Sequence, residues 1–85
     1  MSTSEGIDDV RVRSASALGR VLRAARQSRG MTQSDLAEIS RTNRYTLAQM
    51  EDGDATKAVD RLFDVLAALE LELAVRPRRR RPAGE

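Results

Sequence analysis

The chain has 85 residues, 40% of them apolar, and a formal net charge of +2. This length allows one small domain, and a folded part of about 60 residues would bury only about 60% of its extended-chain surface, which makes it marginally stable. Cysteine and histidine are absent, which excludes disulfides, thiolate or imidazole metal sites and most nucleophile–base pairs. We therefore expect no enzyme, no metal and no cofactor. No apolar run approaches the roughly 18 residues of a membrane span, so the sequence predicts a cytoplasmic protein without a membrane partner.

The charges are divided along the chain. Residues 1–10 carry acids only, residues 11–29 carry six arginines and no acid, and residues 76–81 carry five arginines. The segment between them is mildly acidic. Two basic blocks of this kind indicate a polyanionic partner, for which nucleic acid is the common case. A merely solvated surface is the alternative.

The first predicted element is a helix over residues 15–29. The preceding residues, 1–14, are polar and lack periodicity, so we expect a disordered N-terminal arm. From there on, apolar residues recur at i, i+3, i+4 and i+7 and predict one apolar helix face: Leu18, Val21, Leu22 and Ala25. Gly30 is the expected C-terminal stop.

A second, two-turn helix is predicted over residues 33–39. Thr32 is its expected N-cap, and Asp35 completes a capping box with it. Ala37 offers the small side chain that a close crossing with a following helix requires.

Two more helices follow. Thr42 or Asn43 is expected to cap the third helix, which ends at Glu51 before a turn at residues 52–54. Thr56 is the expected cap of the fourth helix. The apolar stripe of this helix consists of Val59, Leu62, Phe63, Leu66 and Leu69.

The period then changes to two in ELELAVR, residues 70–76, which predicts a strand that ends before Pro77. No other segment is predicted as a strand, and a lone strand would leave backbone groups unpaired on both edges. Pairing with the same strand of a second copy across a twofold axis would satisfy them; a fifth helix is the alternative. The expected dimerisation residues are Leu69, Leu71, Leu73 and Val75. A basic, disordered tail is predicted over residues 77–85.

The segment TQSDLAEISRTNRYTLAQMEDGD, residues 32–54, resembles the helix-turn-helix of phage-repressor and Cro-like (XRE) regulators. The wider pattern, which continues through RLFDVLAALELELAVRPR, is similar to HipB-type antitoxins, so that the resemblance covers about residues 15–77. It implies an all-α, four-helix lambda-repressor-like domain over residues 15–76, with a short C-terminal β-strand that pairs between the subunits of a dimer. The matching positions are Thr32, Gln33, Leu36, Ala37, Leu47, Met50, Glu51 and Gly53.

The resemblance also implies roles for individual residues. In this motif the first helix crosses the phosphate backbone, and the second enters the major groove with its N-terminal residues on the base edges. The implied base contacts are Asn43, Arg44, Tyr45 and Gln49. The implied phosphate contacts are Thr32, Gln33, Arg41 and Thr46. Arg44 could bind guanine with two hydrogen bonds or anchor a phosphate, whereas Glu51 is expected to pair with an arginine of the first helix inside the fold.

Two positions depart from the pattern of these regulators. Arg41 lies where the family usually has glycine, because the turn often needs a positive φ there, and a non-glycine residue would cost about 1 kcal/mol. Ser40 replaces a usual apolar residue, so that Ile39 is expected to reach the core instead.

The resemblance implies a dimeric, sequence-specific repressor whose two recognition helices lie about 34 Å apart on a palindromic operator in double-stranded DNA. The likeness to HipB-type antitoxins further implies that the protein neutralises a HipA-like serine/threonine kinase toxin and represses the operon they share. A stand-alone XRE-type regulator without a toxin, and a protein-interaction adaptor on the same fold, are the alternatives.

Overall fold

The computed structural model of the protein describes residues 9–54 and 56–78. Its elements, in chain order, are β1 (Val10–Val12), α1 (Ala15–Ser28), α2 (Gln33–Ser40), α3 (Arg44–Glu51), α4 (Lys57–Ala68) and β2 (Leu73–Val75). This architecture confirms the predicted helical domain with a short C-terminal strand. Within the described ranges no helix is both long and apolar enough to span a bilayer.

Every helix begins at a polar side chain that the sequence places there. Ser14, Thr32, Asn43 and Thr56 each accept a hydrogen bond from the backbone N–H three residues later. Such caps satisfy one of the free donors of the first helical turn and contribute about 1 kcal/mol each. The capping box at the start of α2 and the positive φ of 70° at Gly30 after α1 are both present as predicted.

The C-terminal strand has its partner within the same chain. β2 pairs antiparallel with β1, with Val10 opposite Val75 and Val12 opposite Leu73. The prediction that this strand lacks a partner in its own chain is therefore wrong. Residues 10–12, which were expected in the disordered arm, are strand residues, because their alternating Val-Arg-Val pattern fits the edge that β2 offers. The expectation of an arm over residues 1–8 lies outside the described residues.

The most buried apolar side chains come from four different elements. They are Val12 of β1, Ala37 of α2, Leu47 of α3 and Phe63 of α4. The predicted small residue at the helix crossing, Ala37, is only 4% exposed. The tail is described only as far as Arg78, and its residues 76–78 are exposed without regular structure; the rest of the predicted tail, residues 79–85, lies outside the described residues.

The end of α2 differs from the expectation. Ile39 is 67% exposed, so the prediction that it reaches the core is wrong. The helix extends to Ser40, whose hydroxyl donates to the carbonyl of Leu36 at 2.8 Å. This bond satisfies the polar side chain locally, and the helical rotation leaves Ile39 on the solvent side. Met50, one of the matching positions of the helix-turn-helix, is 48% exposed.

Candidate nucleic-acid interface

The turn between α2 and α3 depends on one residue in a left-handed conformation. Arg41 has φ 61° and ψ 36°, the conformation that glycine adopts without a Cβ clash. The next residue, Thr42, donates its N–H to the carbonyl of Ala37 at 2.9 Å. For a side chain with a Cβ this conformation costs on the order of 1 kcal/mol. The hydrogen bond from Thr42 holds the chain in the reversal that positions α3. The side chain of Arg41 remains exposed.

Asn43 performs a structural role at the start of α3. Its Oδ1 accepts a hydrogen bond from the backbone N–H of Thr46 at 2.8 Å, which decides between the two caps that the sequence allowed. The side-chain carbonyl thereby accepts a hydrogen bond within the fold, and the amide NH2 group remains available as a donor.

The other three predicted base-contacting residues lie on the outer side of α3, where Gln49 is half-buried. Arg44 is exposed, and Tyr45 is 71% exposed. The amide of Gln49 donates to the hydroxyl of Tyr45 at 3.3 Å, as expected for side chains four residues apart on one helix face. The same amide lies 3.4 Å from a carboxylate oxygen of Asp54. The structure thus brings a cation, an aromatic hydroxyl and an amide together on the solvent side of α3.

The opposite side of α3 is fixed by the buried carboxylate of Glu51. The guanidinium of Arg26 binds it twice, at 2.6 Å and 3.0 Å. Arg23 donates at 3.3 Å and the amide of Gln33 at 3.1 Å. The hydrogen bond from Arg26 is the main cause that lowers the pKa of Glu51 to about 2, against the opposing effect of burial. These contacts confirm the predicted ion pair and join α1, α2 and α3 at one point.

Gln33 and Thr32, which were predicted to contact phosphate, both form hydrogen bonds within the fold. One N–H of the Gln33 amide is directed at Glu51. The hydroxyl of Thr32 accepts from the backbone N–H of Asp35 at 3.0 Å, which leaves the hydroxyl proton for an external acceptor. Thr46, the fourth predicted phosphate contact beside Arg41, is half-buried in the first turn of α3.

Comparison with known proteins agrees with this geometry. The helix-turn-helix family matches residues 22–75, more than half of the chain. The protein belongs to this family. Its members of the XRE type are DNA-binding regulators of transcription. No curated protein and no solved structure matches the chain.

Two arginines of α1 in this regulator are committed to internal ion pairs. Arg26 binds Glu51 and also donates to the carbonyl of Met31 at 2.8 Å. Arg23 spans from Glu51 to Asp52, which it reaches at 2.8 Å. Both arginines therefore serve the internal ion pair that was expected for Glu51, and Asp52 takes part in it through Arg23.

One residue important for the regulator's motif was missed by the sequence analysis. Gly19, inside α1, is buried. A Cβ at this position would lie 2.6 Å from the carbonyl oxygen of Glu51 and would also clash with that of Met50. The glycine therefore allows α1 to approach the end of α3 closely enough for Arg23 and Arg26 to reach their acceptor. An isolated glycine within a helical pattern was the available signal.

Proposed function

We propose that the regulator is a homodimeric, sequence-specific repressor that binds a palindromic operator with the first half of α3, in the cytoplasm on the nucleoid. The observation that carries this proposal is the two-sided character of α3. Its inner side is fixed by Leu47 and Glu51, which are 5% and 3% exposed, so that its outer side is held in one orientation. Donors held in this way lose little conformational entropy on binding.

The roles of the outer residues follow from their chemistry. Arg44 has the geometry to donate two hydrogen bonds to guanine, and the amide of Asn43 or Gln49 can donate to an acceptor on a base edge. Tyr45 offers a hydroxyl to phosphate and a ring to a thymine methyl group. Each specific base contact would discriminate by ~1–3 kcal/mol.

The phosphate contacts would flank this face. The exposed guanidinium of Arg41 lies on the turn directly before α3, where a phosphate contact would offset its backbone strain. Thr32 at the start of α2 and Thr46 in the first turn of α3 would add hydroxyl donors, and Gln33 would use its second amide proton. The helix dipole favours an anion at both N-termini.

The proposed homodimer no longer relies on β2 alone. Leu73 and Val75 are half-buried in the ladder with β1, so one edge of β2 is occupied within the chain. Leu69 and Leu71 remain 61% and 54% exposed. These two residues are therefore the better candidates among the four that the sequence assigned to dimerisation.

The proposed role of the repressor is that of an antitoxin for a HipA-like serine/threonine kinase toxin, with which it would share an autoregulated operon. The support for this role is the sequence resemblance and the order of elements, in which a short strand follows the fourth helix. Co-expression with the product of a neighbouring kinase-like reading frame tests it. A stable complex and relief of growth inhibition are expected; a kinase that remains toxic and unbound would indicate a stand-alone regulator.

Operator binding is tested by electrophoretic mobility shift with the native promoter and with scrambled DNA. Arg44→Ala should weaken promoter binding by about 10-fold to 100-fold, equivalent to ~1–3 kcal/mol, and should relax the preference at one base pair. The matched control is Arg61→Ala, which removes an exposed charge from α4 and should retain the preference. An equal loss of binding on all DNA sequences would indicate that Arg44 contacts a phosphate. If the wild type gives no salt-dependent specific shift, the proposed repressor function is refuted.

A further inference from the structure

One flank of α4 exposes a row of apolar side chains. Leu62, Val65 and Leu69 are 48%, 53% and 61% exposed, and Ala58 in the first turn is exposed as well. We call these four residues the α4 seam. Their spacing of four, three and four residues is the spacing with which helices pair side by side.

The α4 seam is distinct from the side of α4 that packs on the domain. The inward residues Val59, Phe63 and Leu66 are buried or half-buried. They lie beside the seam on the helix circumference, so the two rows form a wide apolar surface of which the domain covers only one half. Isolated exposed apolar residues are normal on proteins, but a contiguous row of this kind indicates an interaction surface.

We propose that the α4 seam packs against the same seam of a second copy, with the two helices antiparallel across a twofold axis between Leu62 and Val65. This inference rests on the proposed homodimer and assigns its interface. It moves the main contact from β2 to α4, because β1 already occupies one edge of that strand. It also includes Leu69, which the sequence assigned to dimerisation.

The side chains of the seam favour a second copy as the occupant. In the antiparallel arrangement Leu62 faces Val65 of the other copy, and Ala58 faces Leu69, so each large side chain meets a smaller one. A parallel pair would instead place Ala58 opposite its equivalent and leave a gap at that end, which costs packing energy. Antiparallel helix dipoles also attract each other.

The charges beside the seam are compatible with this self-association. Arg61 flanks the seam on its solvent side, and the antiparallel arrangement places it nearer to Asp64 and Ala68 of the other copy than to a second Arg61. No acid or base lies within the seam itself.

The first test measures the mass of the full chain by sedimentation equilibrium. Leu62→Glu and Val65→Glu should each weaken the dimer by about 100-fold, since each would place a charge in the centre of the interface. Ala24→Glu is the matched control, because it adds the same charge at an exposed position of α1, and it should remain dimeric. Circular dichroism verifies that each variant is folded. A wild type that is monomeric at micromolar concentrations, or folded seam variants that remain dimeric, would overturn the proposal.

A second test determines the orientation of the helices. The chain contains no cysteine, so any disulfide that forms must join the introduced cysteines. A mixture of Leu62→Cys and Val65→Cys proteins should form the mixed disulfide in preference to either homodimer. Crosslinking of Leu62→Cys with itself alone would indicate a parallel pair, and absence of all crosslinks in a dimeric protein would exclude the seam.

Duplexes with one and two half-sites separate this inference from the proposed repressor. Leu62→Glu should bind a single half-site as the wild type does and lose the additional affinity for the palindrome. If the wild type binds neither duplex, the repressor proposal fails, while the mass and crosslinking results still decide the role of the seam.

Discussion

The carboxylate of Glu51 connects three helices through hydrogen bonds from Arg26, Arg23 and Gln33. Removal of one partner from a buried ion pair is costly, because the remaining charge stays desolvated. The side chain of Arg26 is only 10% exposed, so it has little access to water as a substitute. The orientation of α3 therefore depends on the ionised state of one acid.

We predict that acid weakens the fold through this residue. The pKa of Glu51 in the folded protein is lowered from 4.5 to about 2. The ionised carboxylate therefore stabilises the fold fully above about pH 4.5. This stabilisation is lost as the pH falls towards 2. Glu51→Gln should lower the free energy of unfolding at neutral pH by about 3–5 kcal/mol and flatten its decline in that acid range. Thermal melts between neutral pH and pH 2 measure the stability and its dependence on pH. Glu38→Gln, on the exposed side of α2, is the control. If the stability of Glu51→Gln falls with pH as steeply as that of the wild type, Glu51 is not the group responsible.

Arg41 combines backbone strain with an exposed charge. Arg41→Gly should raise the free energy of unfolding by less than about 1 kcal/mol, because the relief of the Cβ clash at positive φ is offset in part by the greater entropy of glycine in the unfolded chain. The same change should weaken DNA binding equally on all sequences and reduce the salt slope by about one. Arg41→Asn, which also removes the charge and tolerates this conformation, should reproduce the binding loss. A glycine variant of lower stability would show that the turn is unstrained.

At the scale of elements, the N-cap of α3 holds the first turn of the proposed recognition helix. Asn43 holds the first turn of the helix with its carbonyl oxygen, while its NH2 group remains available. A loss of DNA binding on mutation could then arise either from a frayed helix or from a lost base contact. A substitution that retains the cap separates these two causes.

Serine caps helices about as well as asparagine but lacks the amide donor. Asn43→Ser should therefore retain the stability of the wild type and lose ~1–3 kcal/mol of operator binding if the amide contacts a base. Asn43→Ala should lose about 1 kcal/mol of stability as well. Chemical denaturation and mobility shift of both variants provide the comparison. Wild-type operator affinity in Asn43→Ser would limit the role of Asn43 to capping.

The same scale shows which features were predictable from sequence. Helix starts depend on local chemistry, and the caps Thr32 and Thr56 were predicted correctly from a few neighbouring residues. The partner of β2 depends on residues more than sixty positions away, and the three residues of β1 are too few for a period-two pattern to stand out. The prediction that Ile39 reaches the core was wrong for a similar reason, because a two-turn helix has few positions that define its inner face. The isolated Gly19 in a helical pattern signals a special position, but its contact partners Met50 and Glu51 follow only from the distance between α1 and α3.

At the scale of the whole molecule, the small sheet joins the two ends of the described chain. Val12 of β1 is 1% exposed, less than any other apolar core residue among those described. On the exposed side of the sheet, Arg11 and Arg13 bind the carboxylate of Glu72 at 2.9 Å and 2.8 Å. Exposed ion pairs of this kind contribute little, so burial of Val12 should provide most of the stabilisation.

The last prediction concerns the pairing of β1 with β2, which joins the two ends of the described chain. Val12→Ala should lower the free energy of unfolding by about 2 kcal/mol, because it removes two buried carbon groups and leaves a cavity. Arg11→Ala on the same strand removes an exposed ion pair and should cost less than about 1 kcal/mol. A chain that begins at Ser14 should lose more than Val12→Ala, since β2 would then lack its partner and expose its backbone groups. Denaturant titrations of the three proteins establish the order. If the shortened chain is as stable as the wild type, β1 is dispensable and the domain is closed by its four helices alone.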